Sequence, residues 1–129
     1  MDDETLLDTA REAVAAAHVP YSGYAVGAAL LTADGTVLTG CNVEMANYSN
    51  TLHAEEVALG AAVQAGHSEF RKLAVSSAAR DGVTPCGMCR QSLAEFCAPS
   101  FPIVCDEGEG VVTYSLGELL PDAIAGDDL

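Results

Sequence analysis

Two short motifs constrain this chain more than any other feature: His53-Ala54-Glu55, and farther along Pro85-Cys86-Gly87-Met88-Cys89. Together they offer an imidazole, two thiols and a carboxylate. Two thiols three apart on the first turn of a helix project to one side, and a histidine brought up to them supplies a third tetrahedral ligand. A fold that uses them must therefore set two helix starts against each other. In a regular helix, side chains two apart diverge by about 200°. His53 and Glu55 can thus serve one point only if the segment lies at the irregular amino-terminal edge of its helix.

The apolar periodicity supplies a frame that can do this. From Asp3 to about His18, Leu6, Leu7, Ala10, Ala13, Val14 and Ala17 recur at helical spacing, which predicts an amphipathic first helix broken by Pro20 and Gly23. Tyr24 to Leu31 reads as a largely buried strand, Asp34-Gly35 as a two-residue hairpin turn, and Thr36 to Val43 as the antiparallel partner. His53 to Ala65 reads as a mostly buried helix closed by Gly66, and Lys72 to Ala78 as a short buried strand. A third helix is expected over Met88 to Cys97, ended by Pro99 and Pro102. Strands follow at Ile103 to Cys105 and Val111 to Tyr114, and Ser115-x-x-Glu118 is a capping-box pattern opening a last helix at Leu116, which Pro121 interrupts. This order predicts an α/β fold, a three-layer α-β-α sandwich whose mixed five-stranded sheet carries helices on both faces. With 129 residues, half of them apolar, residues 1–129 are expected to form one catalytic domain around one core.

The donor set indicates zinc. Three protein ligands, His53, Cys86 and Cys89, leave a fourth position open, which is the catalytic arrangement; a structural site is normally closed by a fourth residue. At such a site the pKa of a bound water falls from 15.7 toward about 7, and Glu55 is placed to handle its protons. A Cys-x-x-Cys pair alone would suit a structural zinc or redox site equally well; the coupling to His-Ala-Glu makes the catalytic reading the better one. Cys41, Cys97 and Cys105 lie in apolar or element-ending segments and read as small buried thiols, and His18 and His67 as solvated groups at helix ends.

Charge narrows the partners. Nineteen acidic side chains face five basic ones, Lys72 being the single lysine, and the formal net charge of −14 repels nucleic acid and anionic membrane alike. Neither is expected as a partner. A lysine-poor acidic surface over a well-formed core also suits concentrated salt, which screens self-repulsion, so a halophilic source is expected. The acidic Met1-Asp2-Asp3-Glu4 start, the lack of any apolar run near the roughly 20 residues that span a bilayer, and an odd number of cysteines predict an intracellular, cytoplasmic protein with free thiols.

The chain resembles the cytidine deaminases, whose zinc signature is H-x-E followed by P-C-x-x-C. Specifically, it is similar to their small single-domain type, which usually assembles as a homotetramer. Besides the two zinc motifs, the resemblance covers Pro20-Tyr21-Ser22, Val26-Gly27-Ala28-Ala29, Gly40-Cys41-Asn42-Val43-Glu44, Cys89-Arg90-Gln91 and Gly117-Glu118-Leu119-Leu120-Pro121. It implies hydrolysis of the 4-amino group of cytidine or deoxycytidine in pyrimidine salvage, with zinc-bound hydroxide attacking C4 and Glu55 shuttling protons. It further implies that Asn42 and Glu44 hold the ribose hydroxyls, that Tyr24 packs near the nucleoside where relatives often have phenylalanine, and that Ala54 contributes backbone contacts to the pyrimidine. Two departures stand out. His53 and Glu56 occupy places where the tetrameric relatives usually have cysteine and arginine, and Ile124 stands where they place an aromatic that stacks on a neighbouring subunit's base. With a neutral imidazole and two thiolates the site carries no net charge, so no compensating cation is required. The other readings are a deaminase of another cytosine compound, such as an aminoacyl-nucleoside antibiotic or a free base, and a non-catalytic zinc-stabilised binding module. Asn42 and Glu44 argue for a ribose, and Glu55 against a purely structural site.

Overall fold

The structure, a computed structural model, describes residues 1–129. Its centre is β1 (Val26–Thr32), six of whose seven residues are buried. β1 pairs antiparallel with β2 (Val37–Cys41) on one side and with β3 (Phe70–Ser77) on the other. β4 (Pro102–Asp106) lies parallel to β3 and β5 (Val111–Ser115) antiparallel to β4, giving the order β2-β1-β3-β4-β5. The β1–β2 turn falls where Asp34-Gly35 predicts it, with Gly35 at φ +91°, a conformation open to glycine without steric cost.

Alternation along the strands divides the core into two layers. Ala29, Leu31, Ala74 and Val104 face α1 (Asp3–Ala13) and meet its Leu6, Leu7 and Ala10. On the other face Ala28, Leu30, Leu73, Val75, Ile103 and Cys105 pack against α2 (Ala54–Gln64), α3 (Gly87–Phe96) and α4 (Leu116–Leu119). This is the three-layer sandwich expected. Two glycines let helix backbones sit directly on strands: a Cβ at Gly27 would collide with the Ala10 carbonyl, and one at Gly40 with the Ala54 carbonyl. The second contact seats the first turn of α2 on β2.

α1, β1 and β2 are shorter than their periodicity suggests, β2 ending at Cys41 because Val43 bridges instead to His18 and Leu52. α1 stops at Ala13 and passes through a single tight turn, Val14–Ala16, although the apolar spacing runs on to Ala17. Extended pairing wins there, because the His18 N–H donates to the Asn42 carbonyl and the His18 carbonyl accepts from Glu44 N–H. β1 begins at Val26 rather than Tyr24, since the Asn42 side chain takes over the pairing: its Oδ1 accepts from Val26 N–H and its Nδ2 donates to the Tyr24 carbonyl.

One ion pair fastens the α1 layer to the far half of the sheet. Arg11 donates from Nε and Nη2 to the two oxygens of Asp106 at 2.7 and 2.9 Å, and the Ser76 hydroxyl donates to the same carboxylate. The Arg11 hydrogen bonds foremost, with those from Ser76 and Gly108, hold the Asp106 carboxyl at about 2, below its ordinary 3.8. The stability this lends is complete above about pH 4 and is lost as pH falls toward 2. Asp106→Asn should lower the unfolding free energy at neutral pH by about 1–3 kcal/mol. Denaturant titrations of parent and variant across pH 2–7 check this, and the gap between them should close at the acid end.

Candidate active site

The helix starts do converge. His53 is the N-cap of α2, with extended backbone at φ −85° and ψ 150°, and Cys86 is the N-cap of α3 at φ −68° and ψ 170°. His53 therefore lies outside the regular helix while Glu55 lies in its first turn, which meets the condition their spacing imposes. Nδ1 of His53 stands 3.3 Å from the Cys86 sulfur and 3.5 Å from the Cys89 sulfur, and the three donor atoms all lie within 4.8 Å of one another. In a tetrahedral zinc site with bonds of about 2.0–2.1 Å to nitrogen and 2.3 Å to sulfur, neighbouring ligand atoms are about 3.5 Å apart. The donor set thus fits zinc in both chemistry and size.

Burial, reinforced by the charges of Glu55 and Cys86, pushes the Cys89 thiol far above its ordinary value. A divalent cation among these groups reverses that tendency, because a coordinated thiol is held deprotonated. Burial also raises the Glu55 carboxyl, which has no hydrogen bond from any other residue. Burial pushes the Cys97 thiol up to about 12 and the Cys105 thiol up to about 11, and no cysteine is paired in a disulfide.

In front of the donor set opens a cavity of about 400 Å³, walled by His53, Ala54, Glu55 and Cys86 on one side and by Tyr24, Val26 and Asn42 on the other. Cys89 lies behind it, buried. Six of the eight residues singled out in the sequence therefore line one space, and a seventh, Cys89, reaches its edge through the donor set. Glu44 does not line it. Its carboxylate accepts from the backbone N–H groups of Tyr21 and Ser22 at 3.1 Å each and from the Ser22 hydroxyl, and these bonds, the hydroxyl's first, lower its pKa. Ile124 likewise does not line this cavity and is 61% exposed.

Several cavity residues escape sequence reasoning. Thr51, Arg80, Thr84 and Arg90 all line it, and two of them are among only five basic residues of the chain. That scarcity was the available signal: an arginine directly after Cys89 is conspicuous in so acidic a sequence. Glu56 has a definite task. Its Oε1 accepts the His53 backbone N–H at 2.9 Å, so it closes the start of α2 and fixes the backbone that carries the imidazole.

Comparison with known proteins bears on this geometry. The family model of the cytidine and deoxycytidylate deaminase zinc-binding region matches residues 1–105. A cytidine deaminase of Sporosarcina psychrophila is 43% identical over all of this chain and 96% of its own length. Among solved structures, cytidine deaminase from Burkholderia pseudomallei superposes with a TM-score of 0.90 at 42% identity, covering 96% of this chain and all of that one. The enzyme from Mycobacterium tuberculosis gives 0.86 at 41% identity, covering 96% and 98%.

The Glu56 cap generates a test of its own. Glu56→Ala leaves the His53 N–H without its acceptor and should cost about 1 kcal/mol of stability. Thermal unfolding with zinc present and absent measures this, and the loss should appear in both forms because the bond is a backbone one.

Proposed function

The chain belongs to the cytidine and deoxycytidylate deaminase family, and from that premise we propose that it is a zinc-dependent hydrolase converting cytidine or deoxycytidine to uridine or deoxyuridine with release of ammonia. The observation that carries the proposal is the convergence of one imidazole, two thiols and a free buried carboxylate at one cavity. His53, Cys86 and Cys89 would hold zinc, which when bound would supply a Lewis acid and acidify a water to serve as the nucleophile for C4 of the ring. Glu55 takes a proton from the attacking water, gives it to N3 as the C4–O bond forms, and delivers a proton to the amino group as the C4–N bond breaks. Placement in the first turn of α2, with no other donor on its carboxylate, leaves it free for both transfers.

The substrate is held by the rest of the cavity. Tyr24 packs on the nucleoside, the backbone at Ala54 meets the pyrimidine edge, and Asn42, which keeps one amide N–H free, donates to a ribose hydroxyl. Glu44 does not line the cavity and takes part indirectly, holding the Tyr21–Ser22 turn whose Ser22 hydroxyl accepts the Tyr24 N–H. The whole of residues 1–129 serves as one catalytic domain, and the reaction is one of pyrimidine salvage. Five free thiols suit the reducing cytoplasm, and no helix of the chain is long and apolar enough to cross a membrane.

We further propose assembly as a homotetramer and adaptation to concentrated salt. Tyr21 and Tyr48 stack edge to face while remaining 54% and 58% exposed, and Met45 and Leu52 stand exposed in the same stretch of chain; such apolar surface is covered by subunit contact.

Glu55→Gln should retain stoichiometric zinc and the parent's fold while losing at least about 10²-fold in kcat; metal analysis beside an absorbance assay of cytidine, deoxycytidine, their nucleotides and cytosine decides it. A variant with substantial turnover places the proton carrier elsewhere. Raising salt from low to molar should increase the midpoint of thermal unfolding, as the charge of −14 is screened. Sedimentation in the same buffers should give about four times the 13.2 kDa chain mass.

A further inference from the structure

The loop that delivers the two thiols has little to hold it. Across residues 83–86 the one hydrogen bond between backbone groups is that from Arg90 N–H to the Cys86 carbonyl, the first bond of α3 itself. Apolar packing of Val83 and Pro85 fills space beneath the loop without fixing the orientation of its peptides. Yet the direction of the Cys86 side chain depends on the plane of the peptide joining Pro85 to Cys86.

We propose that Arg90 is a positioning residue of the zinc site: its guanidinium clamps this loop to α4 and thereby sets the thiols of Cys86 and Cys89 for the metal. Nε donates to the Pro85 carbonyl at 2.6 Å, which fixes that peptide plane. Nη2 donates to the Thr84 hydroxyl at 3.0 Å, one residue earlier. Nη1 donates to the Leu119 carbonyl at 2.7 Å, one of the terminal carbonyls that α4 cannot satisfy internally. Three edges of one planar group thus reach three acceptors that lie on two separate segments. Lysine cannot reproduce this, since an ammonium on a flexible stem lacks the rigid fork. All three acceptors are neutral, and Arg90 has no carboxylate within ion-pairing distance, unlike Arg11 and Lys72. Its role is accordingly one of geometry. Arg90 follows Cys89 directly and also lines the cavity, so the clamp acts at the ligands themselves.

The inference rests on the reading of His53, Cys86 and Cys89 as the zinc ligands, and the test separates the two. Zinc dissociation constants are measured by chelator competition for the full chain and for Arg90→Gln, Arg90→Lys, Thr84→Val and Gln91→Ala, alongside thermal unfolding of each metal-free form. Gln91 is the control: it neighbours Arg90, and its side chain donates to the Ile124 carbonyl at 2.9 Å rather than to either motif loop. Arg90→Gln should weaken zinc binding by about 10- to 100-fold, as loss of a group that orients metal ligands does. Arg90→Lys should recover only a small part of this, and Gln91→Ala should bind zinc as the parent does. A purely structural arginine would lower metal-free stability and leave the zinc constant of the folded protein unmoved. Parent-like zinc binding in Arg90→Gln, full recovery in Arg90→Lys, or an equal loss in Gln91→Ala overturns the clamp. Should Arg90→Gln fail to fold, Thr84→Val, which removes one of the three acceptors, is expected to lose about threefold in affinity, and no loss there overturns the inference. A parent chain without tight zinc overturns the proposed function, and the clamp with it; tight zinc in parent and Arg90→Gln alike overturns the clamp alone.

Discussion

Because His53 and Cys86 are both helix N-caps with extended backbones, the chemistry of this protein depends on two helices beginning at one place. An N-cap residue is free of helical φ/ψ, so its side chain can turn back across the helix start toward a neighbour. The next residues, already helical, then project on fixed bearings: Ala54 and Glu55 from one helix, Cys89 from the other. One flexible and one rigid donor at each start suffices to gather imidazole, thiols and carboxylate. The sheet makes the convergence possible, since α2 and α3 share the face whose core includes Ala28, Leu30, Val75 and Cys105.

That placement relies on close contact more than on charge. Gly40 lets the backbone of α2 rest on β2, and no side chain could be interposed without lifting the helix and the histidine before it. On the opposite face Gly27 does the same for α1, and the Arg11–Asp106 pair closes that layer where apolar contact runs out. Most acidic groups stand apart from these devices in solvent, which is why a chain so strongly charged can keep a conventional core.

Fold order and donor set were legible in the sequence for the same reason: each is written in local spacing. The hairpin turn at Asp34-Gly35, the cap at Ser115 with Glu118, and the two zinc motifs depend on residues within a few positions of one another. What escaped was decided across the fold. The periodicity to Ala17 gave no warning that His18 would pair with Asn42 and Glu44. The carboxylate of Glu44 belongs to the turn at Tyr21 and Ser22, whose N–H groups have no signature in sequence. The acceptors of Arg90 are a hydroxyl and two backbone carbonyls, and carbonyls are identical in every residue. Net charge carries no sign of Glu56's partner, which is a neutral one, the His53 N–H.

The two ends of the hairpin differ in a way that matters for handling the molecule. Tyr24, Val26 and Asn42, at the start of β1 and just past the end of β2, border the cavity, whereas Asp34-Gly35 lies at the far tip of the same strands. The carboxyl-terminal stretch, by contrast, is strapped to α3 through Gln91 and Ile124, one residue from Arg90. A load applied at the carboxyl terminus would run straight into the helix that bears the thiols, while one applied at the hairpin tip would be spread along five strand-to-strand register pairs before reaching the cavity. For attachment to a surface, a fluorophore or a fusion partner, the turn at Asp34-Gly35 is the mechanically quiet position.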